Sequence, residues 1–386
     1  MGESKQHMAE HILEAGELRQ WLLESEPSRL ERLWRLADEV RRTNVGDEVH
    51  LRGLVEVSNH CARQCHYCGL RARNRGLQRY RMTADEVVAC AEQARAFGYG
   101  TVVLQAGEDD ALSCDWVAEV VRRIKRTTSL AVTLSLGERP RDALAAWRQA
   151  GADRYLLRFE TSNVALFERI HPARARRSTS RLDLLRELRR LGYEVGSGVM
   201  VGIPGQSYAD LVADLELFRE LALDMIGIGP FIPHPATPLG ADATGANEVP
   251  ADELTTYKMV ALARLTCPEA NIPSTTALAT VNPAEGRELG LQRGANVLMP
   301  NVTPPKYRAM YEIYPAKACI RESADACHAC LRRRVEAIGR RVGSGPGARR
   351  RGAPPMPNRA VRRGATAACC AAAGAHDSLA LARRHV

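Results

Sequence analysis

Leu51-Arg-Gly-Leu-Val-Glu-Val-Ser-Asn-His-Cys-Ala-Arg-Gln-Cys-His-Tyr-Cys68 runs from a short apolar segment straight into three closely spaced thiols. Residues 51–57 read as a buried strand, and Cys61, Cys65 and Cys68 stand just past its end. Three thiols within eight residues can converge on one inorganic cluster, whereas paired disulfides would leave one over. A 4Fe-4S cube held by three cysteines keeps its fourth iron open to a ligand or substrate, which points to reaction chemistry and not electron relay alone. The alternative is a structural zinc site, which needs a fourth ligand; His60 and His66 are near enough in sequence to supply one.

Outward from this stretch, short apolar runs alternate with amphipathic segments of helical period. Strands are expected at 51–57, 101–105, 130–135, 154–159, 195–200, 225–229, 271–276 and 295–299. Helices are expected near 83–97, 114–126, 140–150, 179–191, 207–222, 251–266 and 284–292. Thr83 ahead of Glu86 makes a capping box, Pro140 suits a first helical turn, and Gly98, Gly151 and Gly192 stand where helices should stop. The pattern predicts an α/β fold, a complete (β/α)8 TIM barrel; an open sheet of six parallel strands with extras is the alternative.

Barrels bind ligands at the C-terminal ends of their strands, and polar groups gather at those ends here. They are Asn59 to Cys68, Gln105 to Glu108, Thr133 with Ser135 and Glu138, Arg158 with Glu160, Gly202 to Gly205, Pro230 to His234, Thr275 with Thr276, and Met299 to Asn301. Such a rim predicts a ligand-filled mouth.

The expected organisation is an N-terminal helical cap over 1–48, a barrel over 49–310, a C-terminal segment over 311–340 and a disordered basic tail over 341–386. The net charge of +9 is unevenly placed, because nine arginines and one aspartate fall after residue 340. The body is nearly neutral, so global charge does not argue for nucleic acid as a partner. An odd count of eleven cysteines, a charged start without an apolar core, and no run of 18 apolar residues predict a cytoplasmic protein without a membrane span.

Cys319, Cys327 and Cys330 form a second triad that could bind an accessory 2Fe-2S or 4Fe-4S cluster or zinc, with His328 or water as a fourth ligand; inert thiols are the alternative. Its distance along the chain predicts a peripheral position.

The CxxxCxxC spacing, with Tyr67 before the last cysteine, resembles the radical S-adenosylmethionine (SAM) superfamily. The resemblance implies that SAM chelates the open iron and is cleaved by one electron to a 5′-deoxyadenosyl radical. Gly107-Glu108 looks like the superfamily's glycine-glutamate motif, which meets the SAM amine. Arg158 and Glu160 alternate about Phe159 and should share a side; Glu160 suits the SAM ribose, Arg158 an anionic substrate, and a mutually satisfied ion pair is the alternative. Arg181 could reach the SAM carboxylate or merely face solvent. Ser274, Thr275 and Thr276 could bind an anion or cap a turn, and Met225 could line the cavity or pack in the core.

Longer segments, among them GADRYLLRFET, MIGIGPFIPHPATPL and GANVLMPNVTPPKYR, resemble the HydE family of FeFe-hydrogenase maturation over nearly all of residues 10–340. The resemblance implies that Tyr67, Gln105, Gly107, Glu108, Thr133, Glu160, Arg181, Met225 and Tyr311 lie near SAM or the cavity. It assigns Arg158, Thr275, Thr276 and Met299 to the substrate. That substrate would be a small organometallic molecule, a cysteine-bound iron carbonyl-cyanide complex. The implied partners are a flavodoxin- or ferredoxin-type electron donor and the companion maturases HydG and HydF. Departures are Phe159 where histidine is expected, Ala106 where serine is familiar, a long loop between His171 and Arg181, and an arginine-rich tail without a counterpart. A HydE-like radical SAM enzyme of another pathway, methylornithine synthase-like, and a non-catalytic iron-sulfur scaffold are the competing readings.

Overall fold

The structure, a computed structural model, describes residues 13–173, 180–241 and 248–349. Its centre is a parallel sheet of β1 (Glu48–Ser58), β2 (Thr101–Ala106), β3 (Ala131–Ser135), β4 (Arg154–Leu156), β5 (Glu194–Val201), β6 (Met225–Pro230) and β7 (Val297–Leu298). Their order is β6-β5-β4-β3-β2-β1-β7, and a short β8 (Arg341–Val342) pairs with β1 off that path. Every ladder is parallel, which requires a crossover between neighbours. Helices supply them: Ala84–Ala96, for example, crosses from β1 to β2 and packs on β1 and on Cys114–Thr127.

Local chemistry sets the boundaries. The capping box at Thr83 is formed, with the Glu86 carboxylate accepting from Thr83 N at 2.9 Å. Pro140 stands one place earlier than expected, at the N-cap of Arg141–Gln149. Gly98, Gly151 and Gly192 take φ of 78°, 109° and 86° where the chain turns back toward the sheet. The helices Ala15–Leu23 and Pro27–Val45 pack on the outer helices Tyr208–Glu220 and Glu253–Thr266, so they belong to the outer layer.

Regular pairing stops short of the expected complete barrel at its seventh strand. Among the described residues, regular ladders form a parallel half-barrel of seven strands, and residues 271–276 contribute only the isolated bridges Met225↔Asn271 and Pro273↔Val297. Pro273 has no N–H to donate to a ladder, and the Asn296 side chain takes the Ile272 N–H at 2.9 Å. Thr275 then caps a helix, Thr276–Val281, which was not expected. The 154–159 strand likewise ends at Leu156.

The boundary at 341 also moves. Residues 341–349 were expected in a disordered tail, but beyond β8 the chain closes the N-terminal end of the sheet. The Pro346 carbonyl accepts from Thr101 Oγ1 and Arg154 Nη2, each at 3.0 Å. The Gly347 carbonyl accepts from Arg52 Nη2 and Asn271 Nδ2, each at 3.1 Å. At roughly 1 kcal/mol for each of these bonds, a chain ending at Val342 should be about 4 kcal/mol less stable to urea than one ending at Arg349. Equal midpoints would show that the segment adds nothing to the fold. The remainder of the expected tail, 350–386, and the part of the helical cap before Leu13 lie outside the described residues. Among the described residues no helix is long and apolar enough to cross a membrane.

Candidate active site

The loop after β1 carries the first cysteine triad into a cavity of about 330 Å³ at the C-terminal ends of the strands. Backbone pairing seats it: Ala62 N donates to the Glu108 carbonyl at 2.9 Å, and His66 N to the Ile170 carbonyl at 2.8 Å. Gly107 is required by close approach, since a Cβ there would lie 2.3 Å from the His60 carbonyl oxygen and 2.7 Å from Cys61 Cβ.

The donor set fits a metal cluster. Burial, then the charge of Cys61, pushes the Cys65 thiol up to about 12. Cys68 is raised by burial and then by Cys65, and Cys61 chiefly by burial. Three thiols held protonated at neutral pH chiefly by burial become thiolates together only when cations neutralise them. The irons of a bound cluster would supply that charge.

Beside the triad lies a buried charge ladder. Arg63, from between the cysteines, places Nε 2.7 Å from Glu108 Oε2 and also pairs with Glu138. Arg181 Nε meets Glu138 Oε1 at 2.9 Å, and its Nη2 stands 3.6 Å from Glu108 Oε1. Glu108, Glu138 and His171 hold ligand-type atoms within 4.8 Å of one another. The two guanidiniums already neutralise the carboxylates, so the group reads as an ion-pair network. His171 bridges it to the cysteines: Nε2 faces Arg181 Nη2 at 2.8 Å, and Nδ1 faces Cys65 Sγ at 3.0 Å. Burial and then the charge of Arg181 push this imidazole down to about 2, keeping it neutral.

Most of the expected site residues meet at this one cavity. Tyr67, Gln105, Gly107, Glu108, Arg158, Glu160, Arg181, Thr275, Thr276, Met299 and Tyr311 line the cavity with the triad. Gln105 Nε2 donates to the Tyr311 hydroxyl at 3.3 Å. Arg158 Nε pairs with Glu160 Oε2 at 3.0 Å, so the mutual ion pair is formed and faces the cavity. The alternation expected for them does not operate beyond Leu156. Glu160 instead turns inward through φ 64°, a strained conformation for a non-glycine residue. Phe159 points away and packs on Phe218, with ring centroids 5.7 Å apart, so this departure from the family pattern does not reach the cavity.

Two expected residues are not among those lining the cavity. Met225 opens β6 at the other end of the sheet, where its sulfur takes Arg52 Nη1 at 3.0 Å, so it packs below the cavity and does not line it. Thr133 is buried on β3, one pleat below the cavity-lining Ser135, and its hydroxyl has no hydrogen-bond partner among the described residues.

The second triad is not peripheral throughout, since Cys319 and Cys327 line the same cavity while Cys330 does not. The Cys319 thiol is pushed down by a hydrogen bond with Cys327 and then by the Arg287 guanidinium, whose Nη1 stands 3.4 Å from its sulfur. His328, one position on from Cys327 in the helix Ala324–Ala337, faces outward, stacked on Phe97 and 3.0 Å from the Tyr99 hydroxyl. It is therefore not placed as a fourth ligand. Sequence reasoning missed Arg63, His171, Lys317 and Glu56. A cysteine motif flanking Arg63 was the one available signal.

Comparison with known proteins agrees with this geometry. The Radical SAM superfamily model matches residues 55–218. The chain is 50% identical over 321 residues to the [FeFe] hydrogenase maturase subunit HydE of Thermotoga maritima, covering 83% of this chain and 89% of that one. It is 27% identical over 278 residues to 3-methylornithine synthase of Methanosarcina acetivorans, covering 72% and 75%. Among solved structures, methylornithine synthase (PylB) superposes with a TM-score of 0.75 at 24% identity over 87% of this chain and 96% of that one. At that identity the likeness speaks for the fold alone.

Proposed function

From the premise that the chain belongs to the HydE family within the radical SAM superfamily of enzymes, we propose that it acts in assembly of the FeFe-hydrogenase H-cluster. Its substrate is a cysteine-bound iron carbonyl-cyanide precursor. The observation that carries this reading is the convergence of Cys61, Cys65 and Cys68 with Glu108, Glu160, Arg158 and Thr275 on one cavity. Cys61, Cys65 and Cys68 would hold a 4Fe-4S cluster, whose chemistry is one-electron cleavage of bound SAM to a 5′-deoxyadenosyl radical.

The chain's own groups bind, orient and exclude water. Glu160 and Tyr67 serve SAM, with Gln105 and Tyr311 fixing one another beside them. Arg158, Thr275, Thr276 and Met299 face the substrate, and the guanidiniums of Arg158 and Arg287 line the cavity for an anionic complex. The bridges at Asn271 and Pro273 support reading the half-barrel as closed around this cavity. Partners under this reading are a flavodoxin- or ferredoxin-type donor, HydG upstream and HydF downstream. The second triad is read as an accessory, dispensable cluster site, and the chain as cytoplasmic.

The test is 5′-deoxyadenosine release, by HPLC, from anaerobically reconstituted and reduced protein given SAM. Release should rise several-fold when the cysteine-bound iron carbonyl-cyanide complex is added and stay at the uncoupled level with lysine. A rise with lysine would favour the methylornithine synthase reading. No release, with cluster and SAM both bound, would favour the scaffold.

A further inference from the structure

We propose that His171 is a positioning residue that donates its Nδ1–H to the Cys65 sulfur and thereby raises the reduction potential of the cluster. The inference rests on the reading above, that the first triad holds that cluster.

The proton's place follows from the partners of the ring. Arg181 Nη2 lies 2.8 Å from Nε2, and a guanidinium has only donors, so Nε2 must present its lone pair. The competing acceptor, Glu138 Oε1, stands at 3.9 Å, beyond hydrogen-bond reach. A neutral imidazole that accepts at Nε2 carries its proton on Nδ1, and Nδ1 is 3.0 Å from Cys65 Sγ. The Tyr67 hydroxyl, 3.4 Å from Nδ1, is a poorer partner for that proton. The residue is clamped: its ring stacks on Phe167 at 5.0 Å between centroids, and its backbone N–H, at the C-cap of the helix Val164–Ile170, donates to the Phe167 carbonyl.

A hydrogen bond to a cluster thiolate draws electron density from the iron–sulfur unit and stabilises the more negative, reduced state, so the potential rises. Arg181 acts through the ring in the same direction, because its cation lies on the far nitrogen. The chain Cys65–His171–Arg181–Glu138 thus ties a cluster ligand to an arginine that lines the cavity, a link that nothing in the CxxxCxxC spacing reveals.

Wild type, His171→Leu and His171→Asn are reconstituted, assayed for iron and sulfide, and titrated by EPR-monitored redox poising without SAM. The expected result is a more negative midpoint potential in His171→Leu, with His171→Asn returning toward wild type because its amide puts an N–H where Nδ1 was. A fully loaded His171→Leu cluster at the wild-type potential, or equal shifts in both variants, would overturn the inference. Should His171→Leu hold no cluster, His171→Ala decides, since it removes the Nδ1–H and leaves the Arg181 cation in place. A negative shift there supports the inference, and an unmoved potential overturns it. Wild type that assembles no cluster would overturn the underlying reading instead.

Discussion

Reconstituted protein carrying Cys61→Ser, Cys65→Ser or Cys68→Ser should release 5′-deoxyadenosine at background, whereas Cys319→Ser, Cys327→Ser and Cys330→Ser should each retain most of the wild-type rate. For the first group the fall should exceed about 100-fold, the upper end of what losing a mere supporting contact to a metal ligand costs. The contrast follows from placement. The first three sulfurs sit together beside the Arg63–Glu108 ladder, and each raises the next one's pKa. In the second triad only Cys319 and Cys327 reach the cavity, with Arg287 on the Cys319 sulfur, and Cys330 stands apart from it. HPLC of reduced, SAM-treated variants with matched iron content reads the outcome. Background release from all six, or cleavage surviving in the first three, would show that the triads are not divided in this way.

The parts of this site legible in the sequence are those where one residue type at one spacing has one use. The cysteine motif, the Thr83 box and the helix-ending glycines are of that kind. Arg158 and Glu160 were placed correctly for the wrong reason, because the strand carrying them stops at Leu156 and a left-handed Glu160 does the turning. Residues 343–349 were illegible because their order depends on main-chain carbonyls accepting from Arg52, Arg154, Thr101 and Asn271, and composition does not show what a carbonyl accepts. His171 was invisible for a related reason. A histidine before a proline has no distinctive pattern, and its role exists only once Arg181 and Cys65 have been brought to its two nitrogens.

Lys317→Met should destabilise the protein by roughly 3–5 kcal/mol near neutral pH, the cost of leaving a buried partner uncompensated. Lys317 Nζ lies 2.6 Å from Glu56 Oε1 and 2.9 Å from the Tyr311 carbonyl, and both charged side chains are at most 5% exposed. Asn301 Nδ2 holds the other Glu56 oxygen at 3.0 Å, so the carboxylate cannot swing out to water without breaking that bond as well. Burial already pushes Glu56 above the usual carboxylate range, with Lys317 the largest opposing influence. Removing the lysine therefore raises it further. A carboxyl whose folded pKa is raised binds its proton more tightly in the native state than in the unfolded one, so stability falls as pH climbs above the unfolded value, by at most about 1.4 kcal/mol per pH unit. The deficit should be small near pH 5, grow toward pH 8, and shrink at pH 8 when Glu56→Gln is added. Urea denaturation of Lys317→Met and of the double variant at the two pH values measures it. A single variant as stable as wild type at pH 8 would mean that the pair contributes nothing that water or a neighbouring group does not replace.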